Sequence, residues 1–167
     1  MLSNDQIDNI LSFWFPNDEY NKFWFTKNET IDKIIFDNYY NLLIQFYEKY
    51  KTVNNFLFMT NKHEIIASII LMDQFSRNMS RVVNTLTSEK INEMTHIARL
   101  MTLQWLNLNY HNNCNINHLV FVLMPLRHLN NITDYKLILT VLKNTNDKEN
   151  ETYKKFLFHT EKRLELL

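Results

Sequence analysis

"IIASIILMDQFSRNMSR", residues 65–81, opens with eight residues of which only Ser68 is polar and closes on Asp73, Gln74, Arg77, Asn78 and Arg81. Asn61 precedes it as a helix cap, with Glu64 at the third helical position in a capping-box pattern. A helix that is apolar almost all round is buried on every side, so the spacing predicts that residues 61–80 form the central helix of the fold. Asp73 lies seven residues after Ile66 and four after Ile69, which puts it on the buried face. Arg77 and Arg81 follow at further steps of four, and Gln74 and Asn78 make a parallel row. A bare buried carboxylate costs several kcal/mol, comparable to the whole stability of a domain, so Asp73 is expected to be buried and paired, with Arg77 as its nearest partner.

The flanking segments carry the same helical period. Residues 4–15 place Ile7, Ile10, Leu11 and Trp14 on one face behind Ser3 or Asn4 as a cap. From Thr30 to about Tyr50, Ile31, Ile34, Ile35, Leu42, Leu43 and Phe46 form the expected buried stripe. Asp32, Lys33, Asn41, Gln45 and Lys49 face water on this reading. Thr87 or Ser88 opens a helix with Ile91, Met94, Ala98, Met101, Trp105 and Leu108 inward. Residues 107–117 read as an Asn-rich loop, 118–129 as a buried helix interrupted at Pro125, and 133–144 and 148–167 as the last two helices. "FWF" occurs at 13–15 and 23–25 and reads as two aromatic plugs of one core. The fold class is all-α: about seven helices joined by short loops, hence stacked antiparallel hairpins, in one domain over residues 1–167.

Composition agrees. The chain has no glycine and two prolines, while asparagine outnumbers leucine. Tight turns with positive φ must then fall to Asn or Asp, and hairpin-rich β folds are disfavoured. Lys+Arg and Asp+Glu both number 18, so no global field holds a polyanion, which argues against non-specific nucleic-acid binding. Cys114 is the only cysteine, which excludes an internal disulfide and fits a reducing compartment. The start "MLSNDQIDNI" carries no signal or transit pattern, and no apolar run reaches the length of a membrane span. The expectation is a soluble, cytoplasmic protein with no membrane association.

Several chemistries find no support. The six histidines lack metal spacing: His63 has no second His four residues on, and Cys114 has His111 and His118 near it but no second thiol. Without glycine there is no phosphate-cradling loop and no nucleophile elbow, so no cofactor is expected. Arginine is scarce, five against thirteen lysines, and two of the five stand in 71–81. Its planar fork binds carboxylates and phosphates at two points, which lysine cannot copy. A pocket at the end of the central helix and a buried Asp–Arg tie between two helices would both produce this pattern.

"ILSFWF" at 10–15, "FWF" at 23–25, "LMDQFSRNMSR" at 71–81 and "FVLMPLRH" at 121–128 resemble, in order and spacing, successive blocks of the family called domain of unknown function 924. The blocks cover most of the chain, and the central one is the most specific. The resemblance implies an all-helical fold similar to tetratricopeptide-like arrays, and no established activity. It carries over Asp73, Gln74, Arg77, Asn78, Arg81 and His128 as ligand-binding candidates, with Pro125 beside them. Arg127, His159 and Arg163 are secondary candidates. The family pattern at 125–130 is Pro-Leu-Glu-His-Ser-Glu; here it is "PLRHLN", so Arg127 and Asn130 replace the carboxylates. The chain also stops at "HTEKRLELL", short of the family's usual C-terminal segment. Three functions stay open: a helical-hairpin binding module whose Arg-lined groove takes a peptide, a protein partner or a small anionic ligand; a small-molecule enzyme with His128 as acid or base; and a relative that has kept the fold and lost the chemistry.

Overall fold

The computed structural model describes residues 1–17 and 19–167. Seven helices and one 3-10 turn make up its regular structure, with no strand among the described residues. They are α1 (Asn4–Trp14), the 3-10 turn Lys22–Phe25, α2 (Glu29–Tyr50), α3, α4 (Ser88–Asn107), α5 (Ile116–His128), α6 (Ile132–Lys143) and α7 (Glu151–Glu165). The central helix α3 has three joined parts: α-helical Lys62–Ile69, a π-helical turn Ile70–Phe75, and α-helical Ser76–Ser80.

Side-chain caps start these helices. Ser3 and Gln6 form a reciprocal capping box on α1, and Thr87 caps α4. Asparagine caps the other five: Asn28, Asn61, Asn115, Asn131 and Asn150 each accept backbone N–H groups that the first helical turn leaves unpaired. Asparagine also supplies the left-handed turn positions, Asn109, Asn113 and Asn130, with φ of 59°, 61° and 52°. A glycine-free chain thus fills with one residue type both roles that favour a short polar side chain.

α3 packs against α1, α2, α4 and α5, and the last helices add on as successive neighbours, α5 against α6 and α7, and α6 against α7. All residues from Ile65 to Phe75 along α3 are buried, as its pattern predicts. The two "FWF" blocks meet in one core. Trp24 Nε1 donates to the Trp14 carbonyl at 2.8 Å, and the Trp14 ring lies 5.2 Å from Phe23 and 5.4 Å from Phe121.

Three local expectations fail. On α2 the buried line is Asp32, Ile35, Leu43, Phe46, Tyr47 and Tyr50, whereas Ile34 is 38% exposed. The inward face is turned by part of a residue from the predicted stripe, and Asp32 is inside it. On α5 the helix starts at Ile116 and runs through Pro125 without interruption. Proline removes one N–H and crowds the preceding turn. Thr102 of α4 donates to the Val122 carbonyl at 2.6 Å, next to the Phe121 carbonyl whose helical donor the proline removes.

Candidate functional site

Two buried carboxylates organise the polar end of α3. Asp73 is 0% exposed and sits within the π turn. It accepts from Gln74 Nε2 at 2.9 Å, His128 Nδ1 at 3.0 Å, Thr95 Oγ1 at 3.3 Å and Arg77 Nη2 at 3.4 Å. Arg77 is therefore a partner of Asp73 but not the nearest one; its Nη2 lies closer to Thr95 Oγ1, at 2.7 Å. Burial pushes the Asp73 carboxyl up, but His128, Arg77 and Gln74 together outweigh it and hold the carboxyl at about 2. An ionised Asp73 has only acceptors, so His128 Nδ1 donates to it and Nε2 is the nitrogen left for a ligand.

The second carboxylate is Asp32 of α2, 2% exposed, which was expected to face water. Arg81 grips it with Nε and Nη2, both at 2.7 Å, and Asn78 donates to it at 2.8 Å. The predicted ridge Asp73–Arg77–Arg81 thus divides. Arg77 and Gln74 serve Asp73, while Arg81 and Asn78 reach across to α2. The Arg81–Asp32 fork is a tie between helices, like Arg99–Asp134 between α4 and α6, with contacts of 2.6 and 2.8 Å.

What sets this end of the molecule apart is a cavity of about 240 Å³ between the 3-10 turn, α3 and α5. Gln74, Arg77, Asn78, Arg81, Arg127 and His128 form its polar wall. Phe23, Trp24, Phe25 and Met124 form an apolar one, and Thr26 and Lys27 close the rim. A more open groove of about 550 Å³ shares Lys27, Arg77, Arg81 and His128 with it and continues past Ser80, Ser88 and Asn92. All six primary candidates from the sequence, Asp73 included through its bonds to His128 and Arg77, lie at this place. Of the secondary ones, Arg127 lines the cavity. Arg163 and His159 do not: Arg163 donates to Asn130 at 3.2 Å, and His159 is exposed on α7. Burial lowers the His159 imidazole below its ordinary value, and Arg127 and Arg163 lower it further.

Arg127 is the unusual member. No carboxylate pairs with it among the described residues. Its Nη2 donates to Met124 Sδ at 3.2 Å, its Nη1 is buried with no acceptor, and its guanidinium lies 4.7 Å from the Phe156 ring centre. Burial, with Arg163 nearby, pulls it down to about 10. It remains a cation at neutral pH, in the position where the resembled pattern has a glutamate.

Sequence reasoning missed Asp32, Thr95, Lys27 and the aromatic wall. Asp32 and Thr95 each carried a signal: they lie three residues before Ile35 and four after Ile91, on buried stripes. Cys114 stands apart from the site. Its thiol donates to the His111 carbonyl at 3.5 Å, and burial pushes it up, away from the thiolate a nucleophile requires. It borders a different cavity of about 390 Å³, between the Asn-rich segments 111–116 and 144–150. No helix among the described residues is long and apolar enough to cross a membrane.

Fold and site together define an all-helical protein with an Asp–His–Arg constellation at the π turn of its central helix. Residues 10–166 match the model of the family described as bacterial protein of unknown function (DUF924), and the chain belongs to that family. No curated protein matches the sequence. Among solved structures the chain is similar to a protein of unknown function from Agrobacterium tumefaciens, at 17% identity and a TM-score of 0.72, over 97% of this chain and 82% of that one. That likeness is one of fold.

Proposed function

We propose that this protein binds a small anionic ligand in the cavity between the 3-10 turn, α3 and α5. One observation carries the reading. Lys27, Arg77, Arg81 and Arg127 border one cavity, and among the described residues the only carboxylates paired with them, Asp32 and Asp73, are already saturated with donors. A surplus of two positive charges remains before His128 is counted. Clustered cations in a concave, partly desolvated site focus a field that attracts anions. The cavity volume favours a small molecule over a peptide as occupant. A tetratricopeptide-like concave face and an acidic side chain of a protein partner entering the outer groove belong to the same electrostatic logic.

The test is titration calorimetry with inorganic phosphate against the wild type and Arg127→Gln, with chloride matched for ionic strength. The expected result is saturable binding to the wild type and at least tenfold weaker binding to the variant. Equal binding by both proteins, or no heat in either, removes the proposal.

The Asp73–His128 bond favours a second reading, an acid–base enzyme acting on the bound anion. A carboxylate on Nδ1 fixes the tautomer and leaves Nε2 as the base. Mass spectrometry of a metabolite extract incubated with wild type and with His128→Gln separates the two: products formed by the wild type alone assign catalysis, and unchanged extracts assign binding.

A further inference from the structure

We infer, resting on the anion-binding reading, that the ligand joins its anionic head to an apolar body about the size of a benzene ring. The cavity has two unlike halves. The guanidiniums, His128, Gln74 and Asn78 line it from α3 and α5, whereas Phe23, Trp24 and Phe25 line it from the 3-10 turn, with Met124 set against Arg127. A free inorganic anion would use the first half and leave the second against water. Size decides the same way. A dry cavity of about 150 Å³ accepts benzene. The observed volume of about 240 Å³ holds such a ring and leaves room for one carboxylate or phosphate group.

The apolar wall is fixed before any ligand arrives. Trp24 is pinned by its bond to the Trp14 carbonyl and lies 4.9 Å from Phe121. Phe25 is held between Tyr20 and Phe121, each ring centre 6.2 Å away. A preorganised apolar surface beside fixed cations selects an amphipathic anion, because little ordering cost is left to binding. The wide groove beyond Lys27, Arg77, Arg81 and His128 is the side from which such a molecule enters with its head at the seam.

Three probes test the inference by calorimetry: inorganic phosphate, phenyl phosphate, and glycerol 3-phosphate, which puts a polar body on the same head. Phenyl phosphate is expected to bind about tenfold tighter than either of the others, in keeping with burial of one ring against aromatic side chains. Phe25→Asn, at a half-buried position, is expected to erase that advantage, bringing the phenyl phosphate and glycerol 3-phosphate affinities of the variant within twofold of each other. Phe23→Asn serves the same purpose if Phe25→Asn does not fold. Phenyl phosphate binding no tighter than glycerol 3-phosphate in the wild type overturns the inference with no variant needed, and so does an advantage that survives Phe25→Asn. Failure of inorganic phosphate to bind is a different result, which strikes the anion site itself.

Discussion

Replacing Arg127 with methionine is expected to make the protein more stable and less able to bind. The guanidinium has a sulfur and an aromatic face for company, no carboxylate, and one N–H with no acceptor. The fold pulls it well below the usual guanidinium range, to about 10, so the folded state disfavours the charged form. The penalty is present in full at neutral pH and is relieved only as pH rises through about 10. A difference of that size corresponds to roughly 3 kcal/mol. Against it stands the lost contact with the Phe156 ring, about 1–2 kcal/mol for a desolvated cation over an aromatic face. Methionine fills a similar volume and packs well against aromatic rings. The net gain is about 1–2 kcal/mol, which for a chain of this length raises the melting temperature by about 2–8 °C. Phosphate reverses the order. At a hundredfold excess over its dissociation constant it adds about 2.7 kcal/mol to the wild type and little to the variant. Differential scanning calorimetry in phosphate-free buffer, repeated with phosphate, reads both effects. If Arg127→Met melts at or below the wild type without phosphate, Arg127 is a structural residue and the surplus-charge argument fails.

The Asp73 carboxyl is lowered in the fold, so its contribution is complete above the unfolded value near 4 and disappears as pH falls through about 2. Urea unfolding at pH 7 and pH 2.5 is expected to lose roughly 2 kcal/mol more in the wild type than in Asp73→Asn; equal losses would contradict it. Asp32→Ala strands Arg81, and Arg81→Ala strands Asp32. Because Arg81 is 34% exposed, each is expected to cost about 3 kcal/mol, the low end for a broken buried pair. The double variant is expected to cost at least 1 kcal/mol less than the two single costs added, and strict additivity in denaturant midpoints would show that the fork is not a coupled unit.

The helices were legible because each is long enough to repeat its period several times. The stripe of α4 and the buried length of α3 follow from spacing alone. The errors fall where one element meets another. On α2 a run rich in Ile, Phe and Tyr on several faces allows more than one inward stripe, and contact with Ser76–Ser80 of α3 selects the one containing Asp32. Pro125 reads as a break, yet the helix continues through it, with Thr102 of a neighbouring helix bonded to the turn before it. For the site, the sequence places Asp73, Arg77, Arg81 and His128 in polar blocks. It does not show that Arg81 turns to α2, since a step of four along a helix says nothing about a carboxylate 49 residues earlier. The π turn leaves no mark in composition, and the aromatic wall hides because "FWF" also serves the core.

The absence of glycine bears on the denatured chain as much as on the native one. Glycine loses more conformational freedom on folding than any other residue, and replacing one where the native backbone permits gains about 0.4–1 kcal/mol through the unfolded ensemble. At average usage, about 7%, a chain of 167 residues would carry roughly a dozen glycines. Here every residue bears a side chain that narrows its disordered states. Only three of the described non-terminal turns demand a left-handed backbone, and asparagine meets that demand at Asn109, Asn113 and Asn130. The steric strain at those few positions is set against a stiffer random coil along the whole length, so part of this protein's stability resides in what its unfolded state cannot do.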